Sequence, residues 1–239
     1  MAHRPSAETA VYTALFLSIY DVAVLWLANK LLWKCSTRST LLPLFTSALG
    51  RRHLDMGVGT GYFPSTALKS ASCPCEEMTL VDLNPTPLRA SRRRVLRSAA
   101  SSDGRLTTVK TIVADATMPL PLAQDRKFDS ISAFYLLHCL SGPPGRKIGV
   151  FDVARRHLAD DGVFVGATVL PLRNRMSWLA ASIMAFYNRA GIFSNERDAE
   201  DVFAESLRRN FAAVDVWTVG AVMCWRARGL KADRSGVRA

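Results

Sequence analysis

The sequence has few of the residues that build metal centres and disulfide frameworks. It contains five cysteines and four histidines among 239 residues. An odd cysteine count without a secretory signal predicts reduced thiols and a cytoplasmic protein. Cys73 and Cys75 lie too close together for a usual pair of zinc ligands, and no paired His/Cys knuckle follows them. The sequence therefore predicts no metal site.

Acidic residues are scarce relative to basic ones. The chain has 20 Asp and Glu against 31 Lys and Arg, which gives a net charge of +11. Such an excess is typical of proteins that bind nucleic acids or anionic membranes. Five arginines, however, fall in one short helical stretch with no aromatic residue between them for base stacking: Arg89, Arg92, Arg93, Arg94 and Arg97. This placement favours a solvated helix face over a nucleic-acid site.

One apolar run, residues 10–27, has about the length of a membrane span. Polar residues interrupt it, among them Asp21, and no small-residue cleavage site follows it as in a signal peptide. The run therefore favours a helical cap over residues 1–50, with helices at 8–34 and 40–49. Membrane association is the alternative, and the basic charge supports it.

After residue 50, short apolar runs alternate with helical stretches, a rhythm typical of βαβ units around a parallel sheet. The length fits one domain, predicted as a core at 51–230 with a helical substrate segment at 171–209 and a frayed tail at 231–239. Asp160-Asp161-Gly162 predicts a turn before the fifth strand. The predicted strands are 52–56, 78–82, 107–113, 129–134, 162–169, 211–218 and 220–227. The predicted helices are 62–70, 86–100, 145–159, 174–190 and 195–209.

A glycine-rich segment follows the first predicted strand and reads Asp55-Met56-Gly57-Val58-Gly59-Thr60-Gly61. Glycines at alternate positions let the backbone turn sharply and approach a ligand closely. The Gly-x-Gly-x-x-Gly fingerprint of dinucleotide folds does not fit, because its third glycine would fall on Tyr62 or Pro64. The pattern Asp-x-Gly-x-Gly-x-Gly fits at every position. In this the segment resembles class I S-adenosylmethionine-dependent methyltransferases.

Three further blocks follow at the ends of predicted strands. Asp82, beside Leu83, closes the second strand, where a carboxylate can accept both hydroxyls of a ribose. Asp115 ends the third strand and can accept an adenine amino group, with Ala116 as a backbone donor. Phe134 and Tyr135 follow in the fourth block, at the strand tip expected beside the methyl donor.

Taken together, the four blocks resemble the cofactor-binding blocks of small-molecule class I methyltransferases over residues 51–169. The resemblance implies a Rossmann-like α/β fold with a seven-stranded, mostly parallel sheet, an antiparallel edge strand and an N-terminal helical cap. It implies S-adenosyl-L-methionine as cofactor and a small-molecule acceptor, with O-methylation of a metabolite as the predicted reaction. The implied cofactor-binding residues are Tyr20, Asp55, Gly57, Gly59, Gly61, Asp82, Leu83, Asp115, Ala116, Phe134 and Tyr135.

The chemistry is less constrained than the cofactor. Enzymes that methylate nucleic-acid amines resemble one another in an Asn/Asp-Pro-Pro-aromatic block, whereas residues 133–136 read Ala-Phe-Tyr-Leu and suit a flat, uncharged molecule. His138 is the predicted catalytic base, because it follows the fourth strand and histidine titrates near neutral pH. A packing role is its alternative. A cyclase on the same fold and a non-catalytic partner subunit also stay open, since cofactor motifs report binding and not chemistry. The oligomeric state is left open.

Overall fold

A computed structural model describes residues 29–101 and 105–231, apart from the side chain of Arg173. Within these residues one sheet of seven strands carries the core. The strands are β1 (Arg52–Met56), β2 (Glu77–Asp82), β3 (Thr108–Val113), β4 (Phe128–Phe134), β5 (Leu158–Val169), β6 (Phe211–Val219) and β7 (Val222–Leu230). The helices are α1 (Leu42–Ala48), α2 (Tyr62–Ala67), α3 (Pro85–Ala100), α4 (Pro144–Lys147), α5 (Gly149–His157), α6 (Trp178–Arg189) and α7 (Glu200–Asn210).

The strand order, β3-β2-β1-β4-β5-β7-β6, confirms the predicted Rossmann-like sheet. Strands β1 to β5 pair in parallel. Strand β7 runs antiparallel between β5 and β6, which gives this edge of the sheet its antiparallel pairing, and β6 runs in the same direction as β5. Gly220 makes the tight β6–β7 turn with a φ of 59°, and a Cβ there would lie 2.0 Å from the carbonyl oxygen of Trp33. Only glycine fits this position.

The strand order reverses between β1 and β4, which are neighbours in space although β2 and β3 lie between them in the chain. Ligands of open α/β sheets bind at such a point, outside the carboxyl ends of the strands. Above it, three phenylalanines pack together: Phe45 of α1, Phe63 of α2 and Phe134 of β4, with ring centroids 4.8 to 5.7 Å apart. This packing fixes the two helices and the tip of β4 against one another.

The arginine-rich stretch lies on α3 and is largely solvated, as its composition predicts. Arg89, Arg92, Arg93 and Arg97 are exposed. Arg94 is half-buried over the ring of Tyr62, 5.5 Å from the ring centroid, and donates to the carbonyl oxygen of Thr60. One arginine of the five therefore supports the glycine loop.

Three predicted elements differ in the structure. The helix predicted at 195–209 begins only at Glu200. The helix predicted at 145–159 is divided at Ile148 into α4 and α5. A Cβ on Gly149 would lie 2.4 Å from the carbonyl oxygen of Thr117, so close approach of α5 to that backbone requires glycine at the break. The turn predicted at Asp160–Gly162 was wrong, since β5 already begins at Leu158. The pairing shifts there, with Leu158 beside Phe128 but Val163 beside Ser130. Burial of Leu158 extends the strand through this bulge.

The N-terminal cap lies mostly outside the described residues, which begin at Asn29, and so does Tyr20. The helix predicted to reach residue 34 ends at Leu32, and Lys34 has a φ of 52°. Ser36 accepts a hydrogen bond from the amide of Ser39 and starts a π-helical turn that continues into α1. Across residues 29–101 and 105–231 the structure contains no helix with the length and apolarity needed to span a bilayer.

Candidate active site

The loop after β1 turns on three glycines with left-handed backbone, with φ of 72° at Gly57, 52° at Gly59 and 71° at Gly61. At Gly57 and Gly61 the protein itself requires glycine. A Cβ on Gly57 would lie 2.6 Å from Leu136, and one on Gly61 would lie 2.8 Å from Ser91. At Gly59 a Cβ would meet only the Gly57 carbonyl oxygen, at 4.0 Å, among the described residues outside its chain neighbours. The space beside Gly59 is therefore open to a ligand that lies against the backbone.

Asp82 connects the glycine loop with the end of β2. Its Oδ2 accepts a hydrogen bond from the amide of Gly59 at 3.1 Å, and its Oδ1 accepts one from the amide of Asn84 at 2.9 Å. Burial raises the pKa of Asp82, and these hydrogen bonds oppose the shift. Each oxygen retains a lone pair for a further donor. The next residue, Leu83, is 64% exposed and presents an apolar side chain at the same edge.

Asp115 follows β3 and is held by two neighbours. Its Oδ1 accepts hydrogen bonds from the amide and hydroxyl of Thr117, and its Oδ2 accepts one from Arg146 of α4 at 2.6 Å. Burial disfavours the charged carboxylate, but the bonds from Thr117 and the charge of Arg146 outweigh it, so the pKa is lowered. Ala116 is buried, whereas Met118 is 57% exposed. The predicted adenine acceptor therefore shares one oxygen with Arg146.

Two aromatic residues at the tip of β4, Phe134 and Tyr135, have different surroundings. Phe134 is buried and packs on Phe63. Tyr135 has a φ of 57°, a left-handed conformation that is rare for an aromatic residue and points to a functional constraint. Its amide donates to the carbonyl oxygen of Ala167, and its ring lies 5.4 Å from that of His138. The strained residue therefore turns the chain from the sheet towards His138.

His138 is buried, and its hydrogen bonds indicate which ring nitrogen carries the proton. The amide of Val169 donates to Nδ1 at 3.2 Å, and the hydroxyl of Thr168 lies 3.2 Å from the same atom. Nδ1 is thus an acceptor, which places the proton of the neutral ring on Nε2. Burial lowers the pKa of His138 to about 3, and the Lys147 charge adds to the effect. Burial therefore disfavours the titration near neutral pH on which the predicted base role rests.

Asp55 lies on β1, two residues before Gly57, and is only 4% exposed. Its Oδ1 accepts a hydrogen bond of 2.6 Å from Ser132 of β4. Burial raises the pKa of Asp55 to about 7; the bond from Ser132 opposes the shift and the charge of Asp82 adds to it. Below the glycine loop there is accordingly a carboxylate that changes its charge near neutral pH.

Comparison with known proteins agrees with this geometry. The chain matches the Methyltransferase domain family over residues 54–164. It is 47% identical over 181 residues to an O-methyltransferase of Aspergillus niger (strain ATCC 1015), covering 75% of this chain and 91% of the relative. The chain belongs to the methyltransferase family.

The methyltransferase has further relatives in sequence and in structure. It is 40% identical over 219 residues to the physcion biosynthesis cluster O-methyltransferase of Aspergillus chevalieri, covering 91% of this chain and 93% of the relative. N-methyltransferase NodS from Bradyrhizobium japonicum WM9, solved in complex with S-adenosyl-L-homocysteine, superposes with a TM-score of 0.53. That match covers 79% of this chain and 83% of NodS at 17% identity, and it shows a shared fold.

The methyltransferase brings the sequence-predicted residues of the described part to one sheet edge. They lie in or directly after β1, β2, β3 and β4, whose carboxyl ends meet there. Gly59, Asp82, Leu83 and Asp115 line this edge, whereas Phe134 and Ala116 are buried behind it. Within residues 29–101 and 105–231, no group of three His, Cys, Asp or Glu side chains is arranged to hold a metal ion.

A buried ion pair that sequence reasoning missed anchors the segment after α6. Lys147 Nζ donates to both carboxylate oxygens of Asp198, at 2.7 and 2.8 Å, and to the carbonyl oxygen of Ser194 at 2.6 Å. The Lys147 and Asp198 side chains are 0% and 1% exposed. The amide of Ser194 donates to the carbonyl oxygen of His138, and the ring of Phe193 lies 4.4 Å from the His138 ring. The ion pair therefore holds the segment that packs Phe193 against His138.

Proposed function

We propose that this protein is an S-adenosyl-L-methionine-dependent O-methyltransferase that acts on a small-molecule metabolite. The observation that carries the proposal is the hydrogen bond from the Gly59 amide to Asp82, which sets an open glycine loop beside a half-buried carboxylate. The family supports methyl transfer, and relatives at 47% and 40% identity are named O-methyltransferases, one of them from a biosynthesis cluster. A neighbour of the same fold was solved with S-adenosyl-L-homocysteine, which supports the cofactor.

The residues at the sheet edge fit this cofactor. The open space at Gly59 admits its amino-acid end against the backbone. Asp82 has lone pairs left for the ribose hydroxyls, and the exposed side chains of Leu83 and Met118 offer apolar walls for the adenine. Asp115 Oδ2 accepts a hydrogen bond from Arg146 and is the proposed acceptor for the adenine amino group.

The cofactor supplies an electrophilic methyl group on a sulfonium, so the protein has mainly to align the acceptor and exclude water. Well-oriented geometry of this kind lowers a barrier by roughly 7–11 kcal/mol. Tyr135 and Phe193 both pack on the buried His138, with ring centroids 5.4 and 4.4 Å from it. The proposed acceptor is a flat, uncharged molecule held by these aromatic residues and by the helical segment at 171–209.

Replacing Asp82 with asparagine should weaken cofactor binding at least tenfold. The change removes the charge that strengthens the ribose hydrogen bonds, and bonds to a charged group contribute about 1.5–3 kcal/mol. Each 1.36 kcal/mol corresponds to a factor of ten. Calorimetric titration with S-adenosylhomocysteine measures the effect. Binding as tight as that of the wild type would place the ribose elsewhere.

The base role proposed for His138 is tested by His138→Gln. The ring presents its proton at Nε2 and has a low pKa, both unfavourable for a general base. We therefore expect kcat to fall by no more than about tenfold, since loss of a general base costs about 10²–10⁴. S-adenosylhomocysteine affinity should be unchanged. A fall of the larger size, with that affinity retained, would support the base.

The acceptor is identified by incubating the purified protein with trideuteromethyl-labelled cofactor and a small-molecule extract. Mass spectrometry should reveal one or more products that gain a labelled methyl group, and fragmentation should place the label on oxygen. The Gly59→Val variant, in the same extract, is the control for transfer by other causes. Label found only on nitrogen or carbon would contradict O-methylation while leaving methyl transfer in place.

A further inference from the structure

Four polar side chains form a ladder between β1 and β4, inside an otherwise apolar layer. His53 pairs with Ser130, and Asp55 pairs with Ser132, in the register of the two strands. Positions two apart in a strand point to the same face, so all four side chains lie on one side of the sheet. All four are buried, and the ring of Phe45 covers His53 at a centroid distance of 5.2 Å.

Hydrogen bonds join the ladder from end to end. The amide of Gly50 donates to Ser130 Oγ at 2.8 Å, and Ser130 Oγ lies 2.7 Å from His53 Nδ1. His53 Nε2 lies 3.0 Å from Ser132 Oγ, which is 2.6 Å from Asp55 Oδ1. The chain therefore starts at a backbone donor and ends at the carboxylate below the glycine loop.

The two ends fix the direction of every link. An ionised Asp55 can only accept, so Ser132 donates to it and must itself accept from an Nε2–H of His53. The Nδ1 of a neutral ring is then an acceptor for the Ser130 hydroxyl, whose oxygen accepts from Gly50. In the reverse direction, Nδ1 of His53 would donate to the Ser130 hydroxyl oxygen, which already accepts from the amide of Gly50. The Ser130 proton would then have no acceptor in the ladder. With Asp55 ionised, only the forward direction gives every proton of the ladder a partner within it.

We propose that His53 is a positioning residue whose neutral ring, protonated on Nε2, relays this one-directional chain and so favours the ionised form of Asp55 and orients it beneath the glycine loop. The role rests on the proposed function, in which that loop receives the amino-acid end of the cofactor. Hydrogen bonds in such a chain polarise one another and strengthen the last one. The carboxylate then faces an ammonium group when the cofactor binds.

The electrostatic surroundings agree with this role. Burial lowers the pKa of His53 to about 3, so the ring stays neutral at working pH. Among the described residues, the groups that act on Asp55 are the charged Asp82 of β2 and the neutral Ser132 of β4. The apolar Phe45 of α1 covers the ladder. Near neutral pH the charge of Asp55 therefore depends on the hydrogen bond that Ser132 donates.

The first test is the pH dependence of S-adenosylhomocysteine binding, measured by calorimetry. Affinity of the wild type should rise with pH through about 7, because Asp55 must lose its proton to face the ammonium group. Ser132→Ala should move that midpoint upward by roughly one pH unit, as expected when a hydrogen bond to a charged group is lost. His53→Phe should move it in the same direction by less. His53→Gln keeps a side-chain N–H that can donate to Ser132. Its midpoint should therefore lie between those of the wild type and His53→Phe.

The matched control is Ser206→Ala, which removes a buried hydroxyl on α7 that has no hydrogen-bond partner among the described residues. It should leave the midpoint where it is. A midpoint for Ser132→Ala equal to that of the wild type would overturn the proposal, whatever the change in stability. A purely structural role would lower the melting temperature of the variants without moving the midpoint.

The second test needs no ligand. Nitrogen NMR of the histidine rings, with His53 assigned through His53→Phe, should show the neutral Nε2–H tautomer down to about pH 5. The Nδ1–H tautomer, or an imidazolium above that pH, would overturn the proposal even if Ser132→Ala failed to fold. If the wild type bound no S-adenosylhomocysteine, the proposed function would fail, while the NMR result would still decide the direction of the ladder.

Discussion

Gly59→Val is expected to reduce S-adenosylhomocysteine binding by more than a hundredfold while the protein stays folded. The branched side chain would occupy the open space in which the cofactor lies against the loop, and its Cβ would meet no described side chain within 4 Å outside its chain neighbours. Its cost to the fold is backbone strain, since Gly59 has a φ of 52°. Such strain in a residue other than glycine amounts to about 1–3 kcal/mol. Calorimetry measures the binding, and circular dichroism the fold.

Gly191→Val is the matched control. Gly191 also has left-handed backbone, with a φ of 70°, and a Cβ there would meet no described atom within 4 Å. The control therefore carries similar strain at a position outside the loop and should bind S-adenosylhomocysteine as the wild type does. Gly57→Val would be a poor probe, because its side chain would overlap Leu136 and disturb the fold. Undiminished binding by Gly59→Val would remove the loop from the site.

Lys147→Met is expected to lower the free energy of unfolding by about 3–5 kcal/mol, because it leaves the Asp198 carboxylate buried without its partner. Burial already lowers the pKa of Lys147 and raises that of Asp198, and the bond between them opposes both shifts. For a chain of this size the loss corresponds to a fall in melting temperature of roughly 10 °C. Scanning calorimetry measures it.

The double variant Lys147→Met/Asp198→Leu separates burial from charge. Replacing both partners of a buried pair with apolar residues is often neutral or stabilising, so most of the lost stability should return. Activity should not return fully if the hydrogen bond from Lys147 to the carbonyl oxygen of Ser194 helps to hold Phe193 in place. A single variant as stable as the wild type would show that the pair contributes nothing to the fold.

The position of the site was predictable because it depends on local patterns. Asp82 and Asp115 lie at or just beyond the ends of β2 and β3, and the glycines follow β1 directly. Parallel strands bring their carboxyl ends to one edge whatever the details of packing. Sequence alone was therefore sufficient for the fold and for placing these residues at one edge of the sheet; their role in cofactor binding stays a prediction.

Contacts between distant residues were not predictable in this way. Lys147 and Asp198 are 51 positions apart, and His53 and Ser130 are 77 apart. The ladder did leave a signal, since His53 and Asp55, like Ser130 and Ser132, alternate with period two in strands expected to be buried. Recognising it required the register of β1 against β4. For His138 the position was predicted, but the burial that lowers its pKa depends on Phe193 and the Thr168 strand end.

Local turn and helix signals were overridden where the core demanded it. Asp160-Asp161-Gly162 has good turn chemistry, yet burial of Leu158 beside Phe128 extends β5 through it as a bulge. Gly149 interrupts a helical pattern because α5 must approach the backbone at Thr117. In both places tertiary packing decides between conformations that differ little in local preference.

Methyl transfer to a small molecule is tested most directly by counting the two products of one incubation with labelled cofactor. The purified protein should form one S-adenosylhomocysteine for each labelled methyl group found in the acceptor, and Gly59→Val should form neither. An isomerised product with the cofactor intact would contradict methyl transfer and indicate a cyclase. Tight cofactor binding with no S-adenosylhomocysteine formed from any acceptor in the extract would contradict it as well, and would indicate a non-catalytic subunit.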